Sequence, residues 1–213
     1  MNYIFDFDGT LADSKECSIL ATQKAFEEML LDIPSIEKIE YYMGIPIEQS
    51  FNEMANRALN EDEFQTLLKM FREHYKLYEN DTLTVFAGIP HVLKQLKDKG
   101  NRLFVVSSKK SDVLKRNLQA IHIDTYFDDL IGSDKVSHYK PHPDGIFKLE
   151  SKYQLDLRNS VMIGDAIFDI QMGKAAGCMT CAVSWGSHTI TQLKEEQPTF
   201  CIDKVADLVN LPI

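Results

Sequence analysis

A short apolar run that ends in two carboxylates constrains this chain more than any other stretch. Residues 3–11 read Tyr-Ile-Phe-Asp-Phe-Asp-Gly-Thr-Leu, a strand-length segment followed by a turn. Side chains two apart in a strand point the same way, so Asp6 and Asp8 are expected to present two like charges to one small space. Such a pair stays together by sharing a proton or by binding a cation, and a hard divalent ion such as Mg²⁺ suits oxygen ligands.

The residues after the two carboxylates are those of a tight turn. Gly9 permits the turn and leaves its amide open to an anion, and Thr10 is expected to cap the turn with its hydroxyl. An acidic surface turn after an ordinary strand is the alternative reading of a lone Asp-x-Asp-Gly. The longer string Asp6-x-Asp8-Gly9-Thr10-Leu11-x-Asp13-Ser14 resembles the first motif of the haloacid dehalogenase-like (HAD) hydrolase superfamily. The resemblance implies that Asp6 is a nucleophile that takes up a phosphoryl group and that Asp8 is the general acid and base.

Length and charge limit the class of protein. The 213 residues, 44% apolar and 26% charged, suffice for one buried core and a modest second unit. The net charge of −9 argues against nucleic acid as a partner. No stretch approaches the roughly 20 apolar residues of a membrane helix, and a core strand stands where a signal peptide would begin. We therefore expect a cytoplasmic protein with no membrane partner, either a monomer or a homodimer.

The four cysteines are expected to be buried free thiols. Cys178 and Cys181 have Cys-x-x-C spacing, but the residues between and after them read as a core strand. With no second pair and no nearby histidine, zinc binding or redox chemistry is the less favoured alternative.

Residues 14–81 are predicted to be nearly all helix. Asp13 with Glu16, and Asn60 with Glu63, have the spacing of helix-capping boxes. Apolar residues after each box recur at helical spacing, and another helix is predicted across residues 47–59. No run in the segment reads as a strand.

From residue 82 onward, continuous apolar strands alternate with helices. Strands are predicted at 103–106, 130–131, 161–163 and 180–183, and continuous apolar runs are typical of parallel strands buried on both faces. The fold class is therefore α/β: a Rossmann-like, doubly wound parallel sheet formed by residues 1–13 and 82–213, with an α-helical cap inserted at 14–81. Ligands of such sheets bind outside the carboxyl ends of the strands, where the candidate catalytic residues fall.

Two further sites follow the strands. Ser107 and Ser108 end the strand 103–106, where a serine is also a routine helix cap. Lys140 stands in Lys-Pro-His-Pro, whose prolines restrict the loop, although a lone lysine before proline is usually a solvated side chain. These stretches resemble the second and third HAD motifs. The resemblance implies that Ser107 holds the transferring phosphoryl group and that Lys140 neutralises the nucleophile and the bound phosphate. Gly9 and Ser108 are expected to bind phosphate as well.

The last site is Gly164-Asp165-Ala166-Ile167-Phe168-Asp169, which places carboxylates at a strand end and one helical turn later. That spacing allows Asp165 to ligate a cation while Asp169 orients a ligand or a metal-bound water. A cap residue and an exposed acid are the alternative. The stretch resembles the fourth HAD motif, with Ala166 where many members carry serine or threonine.

The four motifs together imply a Mg²⁺-dependent phosphatase with an aspartyl-phosphate intermediate. The metal would be held by Asp6, Asp165 and the backbone carbonyl of Asp8. The placement of the insert resembles the phosphoglycolate phosphatase and β-phosphoglucomutase branch, so a small phosphorylated metabolite such as phosphoglycolate is the expected substrate. Pyrophosphate or a nucleoside monophosphate comes next and a phosphosugar mutase last, while a non-catalytic metal-binding regulatory module is the alternative from another class.

The insert is expected to choose the substrate. Residues 43–51 contain no lysine or arginine, which disfavours a second phosphate. Specificity is therefore assigned to Gly44, Glu48, Gln49 and Phe51, in a loop that cap closure would bring over Asp6 and Asp8.

Overall fold

The computed structural model describes residues 1–212, which form eight strands, nine α-helices and four short 3-10 helices. The strands are β1 (Asn2–Phe5), β2 (Ala12–Asp13), β3 (Thr84–Val85), β4 (Arg102–Val106), β5 (Asp129–Ile131), β6 (Ser160–Gly164), β7 (Met179–Val183) and β8 (Phe200–Ile202). The α-helices are α1 (Lys15–Glu28), α2 (Ile36–Tyr42), α3 (Ile47–Met54), α4 (Glu61–Thr82), α5 (Ile89–Asp98), α6 (Ser111–Ala120), α7 (Asp144–Tyr153), α8 (Ile167–Ala176) and α9 (Ile190–Glu195). Short 3-10 helices lie at Asp124–Tyr126, Ser133–Lys135, Leu157–Asn159 and Val205–Asn210.

The first strand lies in the middle of a six-stranded sheet. The order is β5-β4-β1-β6-β7-β8 and every pairing is parallel. Phe5 is in register with Val105 on one side and with Ile163 on the other, so three strands end side by side. The chain winds outward from β1 in both directions, which confirms the predicted doubly wound α/β fold. The crevice where such sheets bind ligands therefore lies at the carboxyl end of β1.

Alternate residues of the central strands pack into two separate hydrophobic cores. Phe5 and Val105 belong to a cluster that includes residues of α5 and α6, whereas Ile4 and Phe104 belong to a cluster with residues of α7 and α8. All four residues are buried, as expected for strands covered on both faces. The packing on both sides holds the three strand ends in fixed positions.

The four helices between β2 and β3 have a core of their own. It includes Phe26, Ile39, Phe51, Met54 and Leu67. We call α1–α4 and the loops between them the cap. An antiparallel ribbon pairs Ala12 with Val85 and Asp13 with Thr84, at the place where the predicted domain boundary falls. The division into two domains stays a prediction.

Several local predictions need correction. Asn60 and Glu63 form the predicted capping box, but Asp13 and Glu16 do not: Ser14 is the N-cap of α1, and its hydroxyl bonds Asp8 instead. The third helix ends at Met54, short of residue 59, because Ala55 adopts an extended backbone. The predictions lacked α9 and the strands β2, β3 and β8.

The cysteine prediction holds for three of the four residues. Cys17, Cys178 and Cys181 are buried free thiols, and Cys201 is an exposed one because it lies on the edge strand β8. Burial raises the pKa of Cys181 to about 12. None of the described helices is long and apolar enough to span a membrane.

Candidate active site

Asp6 follows directly after β1 and is 2% exposed. Its Oδ1 accepts a hydrogen bond from Lys140 Nζ at 2.6 Å. Its Oδ2 is also buried, and among residues 1–212 it has no hydrogen-bond partner. Burial raises the pKa of Asp6 to about 7; Lys140 opposes the increase, and Asp169 and Asp8 add to it. A buried carboxylate oxygen without a partner is costly, so this atom is suited to a ligand or cation.

Lys140 is the fixed positive charge beside Asp6. Its ammonium is buried and donates a second hydrogen bond to Asp169 Oδ1 at 2.7 Å. Burial alone would lower the pKa of Lys140, but Asp169 and Asp6 together raise it above the usual range. The lysine therefore stays charged, as the third motif implied, and the solvated alternative is wrong.

Three carboxylates form an acidic cluster at the ends of β1 and β6. Oxygens of Asp6, Asp165 and Asp169 lie within 4.8 Å of one another. Asp165 accepts hydrogen bonds from Thr10 Oγ1 at 2.9 Å and from the Ser187 amide at 2.7 Å, so Thr10 does not cap its own turn. Burial, with a contribution from Asp6, raises the pKa of Asp165 to about 7.

The chemistry of this donor set fits a hard divalent cation. Buried oxygen ligands with excess negative charge suit Mg²⁺, which takes few carboxylates and keeps several waters. Asp165 and Asp169 each accept a hydrogen bond on both oxygens, so the predicted choice of Asp165 over Asp169 as a metal ligand stays a prediction. The predicted ligation by the Asp8 carbonyl stays a prediction.

Two glycines bring backbone close to Asp165. Gly9 has φ +76°, and a Cβ on it would lie 2.2 Å from Asp165 Oδ2. A Cβ on Gly186 would lie 2.2 Å from Asp165 Cβ. Both positions exclude a side chain, so the carboxylate is enclosed by backbone and its position is fixed.

Asp8 is held by the core and, indirectly, by the cap. Its carboxylate is half-buried, accepts a hydrogen bond from Ser14 Oγ and pairs with Lys109 Nζ at 2.9 Å. Lys109 Nζ also lies 2.9 Å from the hydroxyl of Tyr75, which belongs to the cap helix α4. Burial alone would lower the pKa of Lys109, but Asp8 and Tyr75 raise it. The second carboxylate of the first motif therefore has a fixed position separate from the acidic cluster.

The two serines after β4 have different surroundings. Ser107 is buried, and its Oγ accepts a hydrogen bond from the Lys109 amide, so it shapes the turn and is not the N-cap of α6. Ser108 Oγ donates to the Gly44 carbonyl in the cap at 2.7 Å. A role for either serine in holding phosphate stays a prediction.

The cap rests on the core over these residues. Besides the contact of Ser108 with Gly44, His188 Nε2 lies 3.1 Å from the Tyr41 carbonyl, and burial lowers the pKa of His188. A cavity of about 310 Å³ lies between cap and core, with Asp6 and Asp8 in its wall. The volume lies at the lower end of the range for small-molecule sites.

Three of the four predicted specificity residues reach this cavity. Gly44, Glu48 and Phe51 line it, whereas Gln49 is exposed on α3 and is not part of its wall. The structure also adds a basic residue to the cap side: Arg72 of α4 lines the cavity and pairs with Glu48 at 2.6 Å.

Sequence reasoning missed several residues of the site. Lys109 was visible only as part of a Ser-Ser-Lys-Lys turn, which does not reveal the lysine that contacts Asp8. Arg72 and Ser187 stand 24 and 22 residues from their partners, and no local pattern links them.

Known proteins resemble the whole chain. The family described as haloacid dehalogenase-like hydrolase matches residues 3–183. The pyrophosphatase PpaX of Listeria monocytogenes is 30% identical over 209 residues, which cover 98% of this chain and 94% of that protein. The "Probable phosphatase IndB" of Dickeya dadantii is 29% identical over 97% of this chain and 91% of that protein. The crystal structure of a "predicted phosphoglycolate phosphatase" from Haemophilus somnus has a TM-score of 0.90 at 24% identity, covers 99% of this chain and 97% of that one, and shares its fold.

Proposed function

The chain belongs to the haloacid dehalogenase-like hydrolase family, and from that premise we propose that it is a Mg²⁺-dependent phosphatase of a small phosphorylated metabolite. The observation that carries the proposal is Asp6: a buried carboxylate with one oxygen on Lys140 and the other unpartnered, in the wall of a cavity that also contains Asp8. Nucleophilic attack needs a free oxygen on a held carboxylate, and Asp6 has one.

The residues divide the reaction into two displacements. Asp6 attacks phosphorus and the bond to the leaving oxygen breaks, while Asp8 gives that oxygen a proton. Asp8 then takes a proton from water, which attacks phosphorus and releases phosphate from Asp6. Lys140 stays charged beside Asp6 and offsets the negative charge that approaches.

Asp6 and Asp165 would hold Mg²⁺, with Asp169 beside them. When bound, the cation supplies positive charge that stabilises the phosphoryl oxygens in the transition state. Hydrolysis of phosphate monoesters is among the slowest uncatalysed reactions, and the charges at this site must supply much of a barrier reduction of about 20 kcal/mol. The backbone carbonyl of Asp8 is the remaining proposed ligand.

The sequence and the relatives suggest two candidate substrates. The position of the cap favours a phosphoglycolate-like monoester, as expected from the sequence. The name of the Listeria relative favours pyrophosphate as a second candidate. A cytoplasmic location and the oligomeric state stay predictions.

Phosphate release from a generic aryl phosphate tests the reaction class. We expect release with Mg²⁺, none in excess chelator, and inhibition by Ca²⁺, whose looser coordination geometry misaligns the attack. Asp6→Asn should be inactive, and Asp13→Asn, the same change at an exposed acid seven residues away, should be active. Activity in excess chelator would contradict the metal requirement, and metal binding without any release would favour the regulatory module.

A further inference from the structure

The cavity beside Asp6 and Asp8 is larger than a phosphoryl group requires. Its volume of about 310 Å³ matches sites that enclose a whole small molecule, commonly about 300–1,000 Å³. Glycolate or a second phosphate adds only a few atoms to the phosphoryl group. Either leaving group would fill a small part of the space and leave the rest to water.

The cap side of the cavity is largely apolar. Ile39, Phe51 and Met54 lie in its wall and are at most 5% exposed, and Phe71 lies beside them. Their positions are fixed by the cap core: the Phe51 ring packs edge-on against Phe26 at 5.4 Å and against Phe71 at 5.1 Å. Contact with such an apolar wall does not stabilise a charged or small polar group. An apolar group that covers the wall is stabilised, because both apolar surfaces are removed from water.

Three of the four basic side chains in the wall are closely paired with carboxylates, and the fourth, Lys110, shares Glu48 with Arg72. A cation without a partner can bind a second anionic group. A paired cation must first separate from its carboxylate, which costs free energy in desolvation and in the lost ion pair. The pairs are Lys109 with Asp8 at 2.9 Å, Arg72 with Glu48 at 2.6 Å, Lys110 with Glu48 at 4.0 Å, and Arg116 with Glu79 at 2.8 Å. The wall therefore offers only Lys110, which is 46% exposed, to the carboxylate of phosphoglycolate or to the second phosphate of pyrophosphate.

We propose that the substrate is a phosphate monoester whose leaving group has an uncharged apolar body of about the size of a ring with a short chain. The inference rests on the proposed phosphatase activity and names the leaving group for the same site. The cap selects this body by burying it against the apolar wall, while Asp6 and Asp8 act on the phosphoryl end. Phosphoglycolate and pyrophosphate are then poor substrates.

A series of primary alkyl phosphates tests the proposal, because the bond that breaks is the same in each. With Mg²⁺, kcat/KM should rise about fourfold for each buried methylene from ethyl to butyl phosphate, the factor expected for apolar transfer from water. Phenethyl phosphate should exceed ethyl phosphate, phosphoglycolate and pyrophosphate by more than about tenfold. A flat series, or faster turnover of phosphoglycolate or pyrophosphate than of phenethyl phosphate, would overturn the inference and leave the phosphatase activity intact.

Matched variants locate the effect in the cavity. Ile45 is half-buried in the loop between α2 and α3 and lines the cavity, so Ile45→Gln should reduce the preference for phenethyl over ethyl phosphate several-fold. Ile33 is 52% exposed on the same cap, and Ile33→Gln should retain the wild-type preference. An unchanged preference in Ile45→Gln would contradict selection by this wall.

Binding of phosphonates separates the inference from the activity. Calorimetry with Mg²⁺ should show phenethylphosphonate binding at least about tenfold more tightly than methylphosphonate, whether or not any ester is hydrolysed. Absence of all turnover would refute the proposed function, and this measurement would still decide the inference. Equal affinity for the two phosphonates would refute the inference.

Discussion

In the absence of divalent cations, the free energy of unfolding of the protein should fall as the pH rises. Asp6 and Asp165 are each 2% exposed, and burial raises the pKa of each from 3.8 to about 7. In the unfolded chain the same carboxyl groups ionise near 3.8. Between these values the folded state binds more protons than the unfolded state, so the free energy of unfolding falls as pH increases.

The size of the effect follows from the same values. A rise from 3.8 to about 7 in the pKa of one carboxyl group corresponds to about 4 kcal/mol of folding stability. This contribution is fully present below pH 3.8 and is lost as the pH passes about 7. Bound Mg²⁺ should reverse the loss, since a cation favours the ionised carboxylates.

Urea unfolding of metal-free protein at about pH 5 and about pH 7.5 measures the loss. His188 makes an opposite contribution because burial lowers its pKa, so the informative quantity is the difference between wild type and Asp165→Asn. The asparagine can still accept from the Ser187 amide and donate to Thr10, and it carries no charge.

The variant should lose about 2–4 kcal/mol less than wild type between the two pH values, whereas Asp13→Asn should behave as wild type does. Equal pH dependence in wild type and Asp165→Asn would refute the reasoning.

Three further predictions concern single side chains. In single-turnover kinetics, Asp6→Asn should lower activity by orders of magnitude with the fold retained, whereas Asp8→Asn should allow some phosphorylation of Asp6 and slow both leaving-group protonation and hydrolysis. Lys109→Met removes the cation 2.9 Å from Asp8, so it should lower kcat about tenfold or more with a smaller change in KM. Tyr75→Phe removes only a hydroxyl and should have a weaker effect on kcat. Steady-state kinetics of the two variants checks both. Gln49→Ala should leave the ranking of the alkyl phosphates unchanged, because the side chain is exposed and outside the cavity wall; a changed ranking would restore the role first assigned to it.

The sheet and the residues at its strand ends could be predicted because their signals are local. Continuous apolar runs marked β1, β4 and β6, and each ended in a polar residue of the site. The carboxyl ends of parallel strands lie at one edge of the sheet, so the sequence alone predicts that Asp6 and Asp165 lie close together. The Asn60 capping box was likewise readable, since its two partners stand three residues apart.

The failures lie where the tertiary structure, and no local sequence pattern, determines which partner a side chain contacts. Ser14 bonds Asp8 and displaces the expected capping by Asp13, and Thr10 bonds Asp165 across 155 positions of the chain. Arg72 reaches Glu48 only because α3 and α4 pack in one cap. The size and apolar lining of the cavity depend on how the cap packs on the core, and this arrangement cannot be predicted from a short sequence pattern.

The stereochemical course at phosphorus tests the central claim most directly. A phosphorothioate monoester that carries sulfur and two different oxygen isotopes at phosphorus is hydrolysed in water that supplies the third oxygen isotope, so the released thiophosphate is chiral and its configuration can be determined. Two successive in-line displacements, the first by Asp6 and the second by water, predict net retention of configuration. Net inversion would mean that water attacks the substrate directly, and Asp6 would then lose its role as the nucleophile.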